Sequence, residues 1–133
     1  MRVIKQTYQI NTSLEQAWKA LTDPAYIDAW GGGPAKMDEK VGSKFELWEG
    51  DIHGTNKEVA QLPTGSKKLV QDWYSGNWPK PSQVTFTLTG IGNNKTRVDL
   101  LHENVPEKEV DDIDDGWKSY YMGPLKEFLE KKL

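Results

Sequence analysis

From Lys44 to about Val105 the chain alternates apolar and polar residues in one short stretch after another, with brief turns between them. This run constrains the fold more than any other feature, because a period of two buries one side of a strand and nothing else. Gln83 to Thr89 is the clearest case: Val84, Phe86 and Leu88 stand against Thr85, Thr87 and Thr89. Lys44 to Glu49, Ile52 to Leu62, Lys67 to Tyr74 and Lys95 to Glu103 read as further strands. The breaks between them are Gly50-Asp51, Pro63-Thr64-Gly65-Ser66, a loop from Gly76 to Pro81 and Gly90-Ile91-Gly92-Asn93-Asn94. Strands joined by such short turns pair antiparallel.

Ahead of this run, Met1 to Ile10 reads as one more strand, with Ile4, Tyr8 and Ile10 on one side. Ser13 and Gln16 have the spacing of a capping box. Leu14, Ala17, Trp18 and Leu21 follow at helical spacing. Asp23-Pro24 starts a second short helix through Tyr26, Ile27 and Trp30, which Gly31-Gly32-Gly33-Pro34 ends. Behind the strands, Pro106 opens a long helix whose stripe is Val110, Ile113, Trp117, Tyr120, Tyr121, Leu125, Phe128 and Leu129. Its first part, Glu107 to Asp115, holds six acids against one lysine, and its end carries Lys126, Lys131 and Lys132. That polarity complements the helix dipole. Gly123-Pro124 is expected to kink it.

A sheet with one apolar face must bury that face, and the long helix offers the matching stripe. The expected architecture is therefore α+β: one domain over residues 1–133. A curved antiparallel sheet of about six to seven strands grips a long C-terminal helix, with two short helices after the first strand. Where a concave sheet and a straight helix part, a ligand cavity forms.

Composition narrows the chemistry. There is no cysteine, so disulfides, thiolate catalysis and zinc–sulfur sites are excluded. The two histidines, His53 and His102, cannot make a three-histidine metal site. A net charge of −3 with scattered lysines argues against nucleic acid. No run approaches the ~20 apolar residues of a membrane span, and no apolar stretch near Met1 resembles a secretory signal, so a cytoplasmic protein is expected. Asp111-Asp112-Ile113-Asp114-Asp115-Gly116 fails as a calcium loop, because Ile113 and Met122 fall where oxygen ligands are required. His102-Glu103-Asn104-Val105-Pro106 lacks the second histidine of a zinc-protease motif. No cofactor and no metal are expected.

Six tryptophans are the unusual count; such rings serve equally as core or as pocket wall. By the strand period, Phe45 and Leu47 bring Glu49 inward, Ile52 and Ala60 bring Asn56 and Glu58, Leu69 and Trp73 bring Gln71, and Val98 and Leu100 bring His102. Trp48 falls on the opposite phase from Phe45, which reads as an outer-face or edge position. Trp78, in its glycine- and proline-rich loop, reads as a residue at an entrance. The residues expected to line a cavity are Trp30, Phe45, Glu58, Trp73, Phe86, His102, Trp117 and Tyr121. Within this set Glu58, His102 and Tyr121 would orient a polar group, and Glu58 or His102 would be the base of an enzyme, the weakest alternative. Asp111, Asp112, Asp114 and Asp115 form a candidate surface for a basic partner.

Particular words add a resemblance. They run from Ser13-Leu14-Glu15-Gln16-Ala17-Trp18 through Asp23-Pro24, then Gly42-Ser43-Lys44-Phe45-Glu46-Leu47-Trp48-Glu49-Gly50 and Gly54. Leu69-Val70-Gln71-Asp72-Trp73, Thr96-Arg97-Val98-Asp99-Leu100-Leu101-His102 and Gly116-Trp117-Lys118-Ser119-Tyr120-Tyr121 follow. In this order they resemble the activator of heat-shock-protein-90 ATPase homologue-like family of the SRPBCC superfamily, START-like helix-grip proteins. The likeness is to the C-terminal domain of the co-chaperone. It implies the helix-grip fold and two functions: holding an apolar or amphipathic small molecule between sheet and helix, or docking on a heat-shock chaperone. The co-chaperone's separate N-terminal domain has no counterpart expected here, since the first strand begins within a few residues of Met1.

Overall fold

In the computed structural model, which describes residues 2–75 and 78–131, the alternating stretches are strands. Met1 of the first expected strand, Gly76 and Asn77 of the loop before Trp78, and Lys132 of the basic helix end lie outside the described residues. The strands are β1 (Arg2–Ile10), β2 (Lys44–Leu47), β3 (Ile52–Gln61), β4 (Lys67–Ser75), β5 (Ser82–Gly92) and β6 (Lys95–Val105). They form one antiparallel sheet in the order β1-β6-β5-β4-β3-β2. Each neighbour in sequence from β2 to β6 is a neighbour in space, as short turns require. Only β1 crosses the molecule, pairing Ile4 with His102 and Tyr8 with Val98.

Between β1 and β2 stand α1 (Leu14–Thr22) and α2 (Pro24–Trp30). The Ser13 hydroxyl accepts from the Gln16 amide at 3.2 Å, and the Asp23 carboxylate accepts from the Ala25 amide at 2.9 Å. These bonds satisfy amide donors that a helix start leaves without partners. The Gln16 side chain accepts from the Tyr26 hydroxyl at 2.8 Å, tying the two helices together. Gly31, at φ +108°, ends α2 in the left-handed conformation that glycine adopts without strain.

Besides register shifts near the strand ends at Arg2–Ile4 and Gly90–Gly92, the alternation breaks at two places that bear on the site. β2 stops at Leu47, because Trp48 and Glu49 take φ of +48° and +58° and enter a 3-10 turn, Trp48–Gly50. Glu49 is therefore exposed, not inward. In β3, Asn56 faces Gln71 but Glu58 already faces Val70, so Lys57 is an extra residue, a β-bulge. One inserted residue exchanges the two faces of everything beyond it. Asn56 is buried, whereas Glu58 points outward and pairs with Lys68 at 3.3 Å on the exposed side.

The last helical run begins with a 3-10 turn, Glu107–Glu109, and continues as α3 (Val110–Gly116), a π-helical turn (Trp117–Met122) and α4 (Gly123–Lys131). Where a kink at Gly123-Pro124 was expected, the helix widens. The Gly123 amide bonds to the carbonyl of Lys118, five residues back, and the run continues through Pro124, which has no amide to donate. A Cβ on Gly123 would lie 2.2 Å from that carbonyl oxygen, so only glycine fits the widened turn. Among the described residues, no helix is long and apolar enough to cross a membrane.

The run lies across the inner face of the sheet. Trp117, Tyr121, Met122, Leu125 and Leu129 meet Leu69, Trp73, Val84, Phe86, Val98 and Leu100 in one cluster, to which α1 and α2 add Trp18, Leu21, Ile27 and Trp30. This is the expected α+β helix-grip arrangement, with six strands among the described residues.

Candidate functional site

The place where sheet and helix face each other is filled with rings. Trp73 of β4 stacks on Trp117 at 4.8 Å between ring centres, and Trp117 meets Tyr121 at 4.7 Å. Tyr121 in turn packs on Trp30 at 4.7 Å and on Phe86 at 5.8 Å, while Phe45 stands 6.3 Å from Trp73. All six of these rings are no more than 5% exposed. Six of the eight expected cavity residues thus come together, as packed core rather than as the walls of an enclosed hollow. Burial raises the Tyr121 phenol above its ordinary pKa.

His102 sits behind them, wholly buried. Its Nδ1 accepts from the Trp117 indole N–H at 3.0 Å. The ring proton therefore resides on Nε2, 2.7 Å from the Ser82 hydroxyl, which donates to the Trp73 carbonyl at 3.2 Å. Both nitrogens are engaged, and desolvation lowers the imidazole pKa from 6.5 to about 4. Nothing remains free to accept a substrate proton. Glu58, the other candidate base, is on the outer face with Lys68. A second polar thread runs beside it: Trp73 donates to Gln71 at 2.9 Å, Gln71 donates to Asn56 at 2.9 Å, and Asn56 donates to the Asp38 carbonyl at 2.9 Å. These inward amides are satisfied and serve to fix β3 and β4. Among the described residues, no cluster of His, Asp and Glu side chains could hold a metal ion.

The packing does leave an opening at the rim. Between the start of β3 and α3 with its π-helical turn lies an open cleft of about 360 Å³. Trp48 and Ile52 form one wall, and Ile113, Gly116 and Tyr120 the other, with Trp73, Trp117 and Tyr121 behind. Asp51 and Asp112 complete the lining, which is almost entirely apolar even with them included. Three expected cavity residues, Trp73, Trp117 and Tyr121, reach this cleft. Trp48, read from strand phase as an outer residue, is a wall of it. Its indole donates to the Gly31 carbonyl at 2.8 Å, and its ring meets Trp30 and Tyr121 edge-on. The signal for Trp48 was present in Gly50-Asp51: a turn there shortens the strand before it.

The four aspartates of the candidate partner surface divide. Asp111, Asp112 and Asp115 are exposed, while Asp114 accepts from the Gln6 side chain at 2.7 Å and stands 3.9 Å from Lys118. Trp78 is not at the cleft. Its indole donates to Glu109 at 2.6 Å and fastens the loop after β4 to the start of the last helical run.

Comparison with known proteins meets this geometry at the family level. The family model described as Activator of Hsp90 ATPase homolog 1-like protein matches residues 11–130. The chain belongs to this family. A relative from Dictyostelium discoideum, an activator of 90 kDa heat shock protein ATPase homolog, is 29% identical over 127 residues, which are 94% of this chain and 32% of that protein. The human activator homolog 1 is 26% identical over 125 residues, 93% of this chain and 35% of that protein. The chain thus spans about a third of the length of the curated relatives it matches. Among solved structures, an HSP90 activator from Plasmodium falciparum superposes with a TM-score of 0.85 at 25% identity, covering 97% of this chain and 96% of that one. The Aha1 dimer from Colwellia psychrerythraea shares the fold with a TM-score of 0.76 at 24% identity, covering 98% and 97%.

Proposed function

We propose that this chain is a cytoplasmic protein-interaction domain that docks on a heat-shock-protein-90-type ATPase and stimulates its turnover. The observation that carries the reading is the match of nearly the whole chain to proteins described as activators of that ATPase. The exposed carboxylates of Asp111, Asp112 and Asp115 support it as a surface that attracts a basic partner patch and speeds encounter. The engagement of both His102 nitrogens and the outward position of Glu58 mean that neither of the two expected bases is available at the cleft.

The test is the steady-state ATPase rate of a heat-shock-protein-90-type chaperone from the same source, measured with and without this chain. Stimulation that saturates with added chain is expected, and so is a fall in affinity of about tenfold at low salt for Asp111→Asn/Asp115→Asn. Asp114 stays intact in that variant because it holds Gln6. An unchanged rate together with no binding at micromolar concentrations overturns the reading.

A second reading, the holding of an apolar or amphipathic small molecule, is favoured by one specific observation. The rim cleft has the volume and aromatic walls of a small ligand site, at the low end of the usual ~300–1,000 Å³ range.

A further inference from the structure

Four features converge on the rim cleft. Trp48 and the adjacent Glu49 hold left-handed backbone conformations, which a bulky residue such as tryptophan adopts only at a cost. The opposite wall is formed by a π-helical turn, a departure from α-helix that concentrates at functional sites. Tyr120 is 69% exposed at the edge, although Tyr121 beside it is buried. Gly116 is the fourth. It has ordinary helical angles, φ −59° and ψ −38°, and a Cβ built on it would meet nothing within 4 Å. Neither backbone nor packing calls for glycine there, and mid-helix glycine costs roughly 0.5–1 kcal/mol relative to alanine. What its missing side chain does is leave the wall of the cleft open.

The lining says what enters. Three indoles and two phenol rings, from Trp48, Trp73, Trp117, Tyr120 and Tyr121, surround the space, and the charged residues at its edge are Asp51 and Asp112, both exposed. Aromatic faces carry negative quadrupole charge and attract cations, above all when a carboxylate stands nearby. An anion would be repelled by the two aspartates at the edge, and a purely apolar molecule would leave their charge unused. We propose that this cleft binds a small amphipathic organic cation, an apolar body bearing an ammonium group, as a free molecule. The inference rests on the small-molecule reading of the cleft, whose edge shares Asp112 with the proposed docking surface.

The experiment titrates the intact chain with 4-phenylbutylamine, 4-phenylbutanol and 4-phenylbutyrate, three probes with one body and different charge. Binding is followed by tryptophan fluorescence and by calorimetry at low salt. The amine is expected to bind roughly 3- to 30-fold more tightly than the alcohol, with the carboxylate weakest. Asp51→Asn/Asp112→Asn should narrow the gap between amine and alcohol to the part that the rings alone supply. Tyr120→Ala should weaken the amine severalfold with the melting temperature unchanged. Gly116→Ala should raise the melting temperature while weakening the amine, a pairing that damage to the fold does not produce. If the three probes bind alike, the cation preference is overturned and the cleft reading stands. If none binds at millimolar concentration, both fall. If Gly116→Ala leaves amine affinity unchanged, the site lies elsewhere and the proposal fails. ATPase stimulation by Tyr120→Ala and Gly116→Ala, which leave the docking aspartates intact, is measured in parallel and reports on docking independently.

Discussion

The indole N–H of Trp117 points at Nδ1 of His102, so a proton cannot join that nitrogen without breaking the bond. Burial adds to the penalty and holds the imidazole pKa at about 4 in the folded chain, against about 6.5 when unfolded. Between those values the unfolded state binds more protons than the folded one, so stability rises with pH across the window. It is full above pH ~6.5, falls by about 3 kcal/mol as pH drops toward 4, and loses nothing more to this group below that. Asp38, lowered by the Lys40 amide, and Glu127, lowered by Lys131, are fully exposed and lose any contribution as pH falls below their ordinary carboxylate values. Thermal melts from pH 7 to 4.5 should therefore show a falling melting temperature in the native chain, and a much flatter line in His102→Gln. Equal slopes for the two chains would assign the acid sensitivity to other groups. The inward position of His102 was legible, because Val98, Leu100 and His102 alternate without interruption. Its partners were not: Trp117 lies 15 residues away on a helix whose rotation the strand period does not determine.

Elements show where that period stops being a guide. β5 and β6 keep their apolar phase until register shifts near Gly90–Gly92 and near Val105, but β3 carries its bulge in mid-strand at Lys57, and Asn56 and Glu58, read as neighbours on one face, part to opposite faces. Nothing in Asn56-Lys57-Glu58 marks the insertion, since a bulge is settled by pairing with β4. The early end of β2 moved Trp48 as well, although there the turn at Gly50-Asp51 marked it. The last helix was legible in position and stripe, and its widened turn was foreshadowed only as a kink at Gly123-Pro124. Its two glycines now make a matched test of local geometry. Helix propensity alone gives both Gly116→Ala and Gly123→Ala a gain of up to about 1 kcal/mol. The structure separates them, because Gly116 faces open space whereas a Cβ on Gly123 would meet the Lys118 carbonyl at 2.2 Å. Gly123→Ala should cost about 1–3 kcal/mol, with Gly116→Ala stabilising. Urea midpoints of the same sign for both would show that the π-helical turn relaxes freely.

At the scale of the molecule, the sheet and the last helical run are joined through one side chain more than through any other. Trp117 stacks on Trp73 of β4, meets Phe86 of β5 edge-on at 5.7 Å and donates to His102 of β6, so three adjacent strands bear on one indole. Trp117→Ala would remove that area, leave a cavity and strip His102 Nδ1 of its donor. A loss of about 3–5 kcal/mol is expected, a large part of the ~5–15 kcal/mol that holds a domain of this kind together. Trp117→Phe keeps most of the packing and loses the hydrogen bond, so it should cost closer to 1–3 kcal/mol. How the alanine variant unfolds then distinguishes two descriptions of the fold. If sheet and helix are one cooperative unit, the urea midpoint falls while the dependence of stability on urea stays as in the native chain. A shallower dependence, with near-ultraviolet signal lost before far-ultraviolet signal, would mean that the helix detaches while the sheet persists. The single hydrophobic cluster shared by all elements favours the first outcome. Because Trp117 also backs the rim cleft, amine binding should disappear in the alanine variant under conditions where most of the chain is still folded.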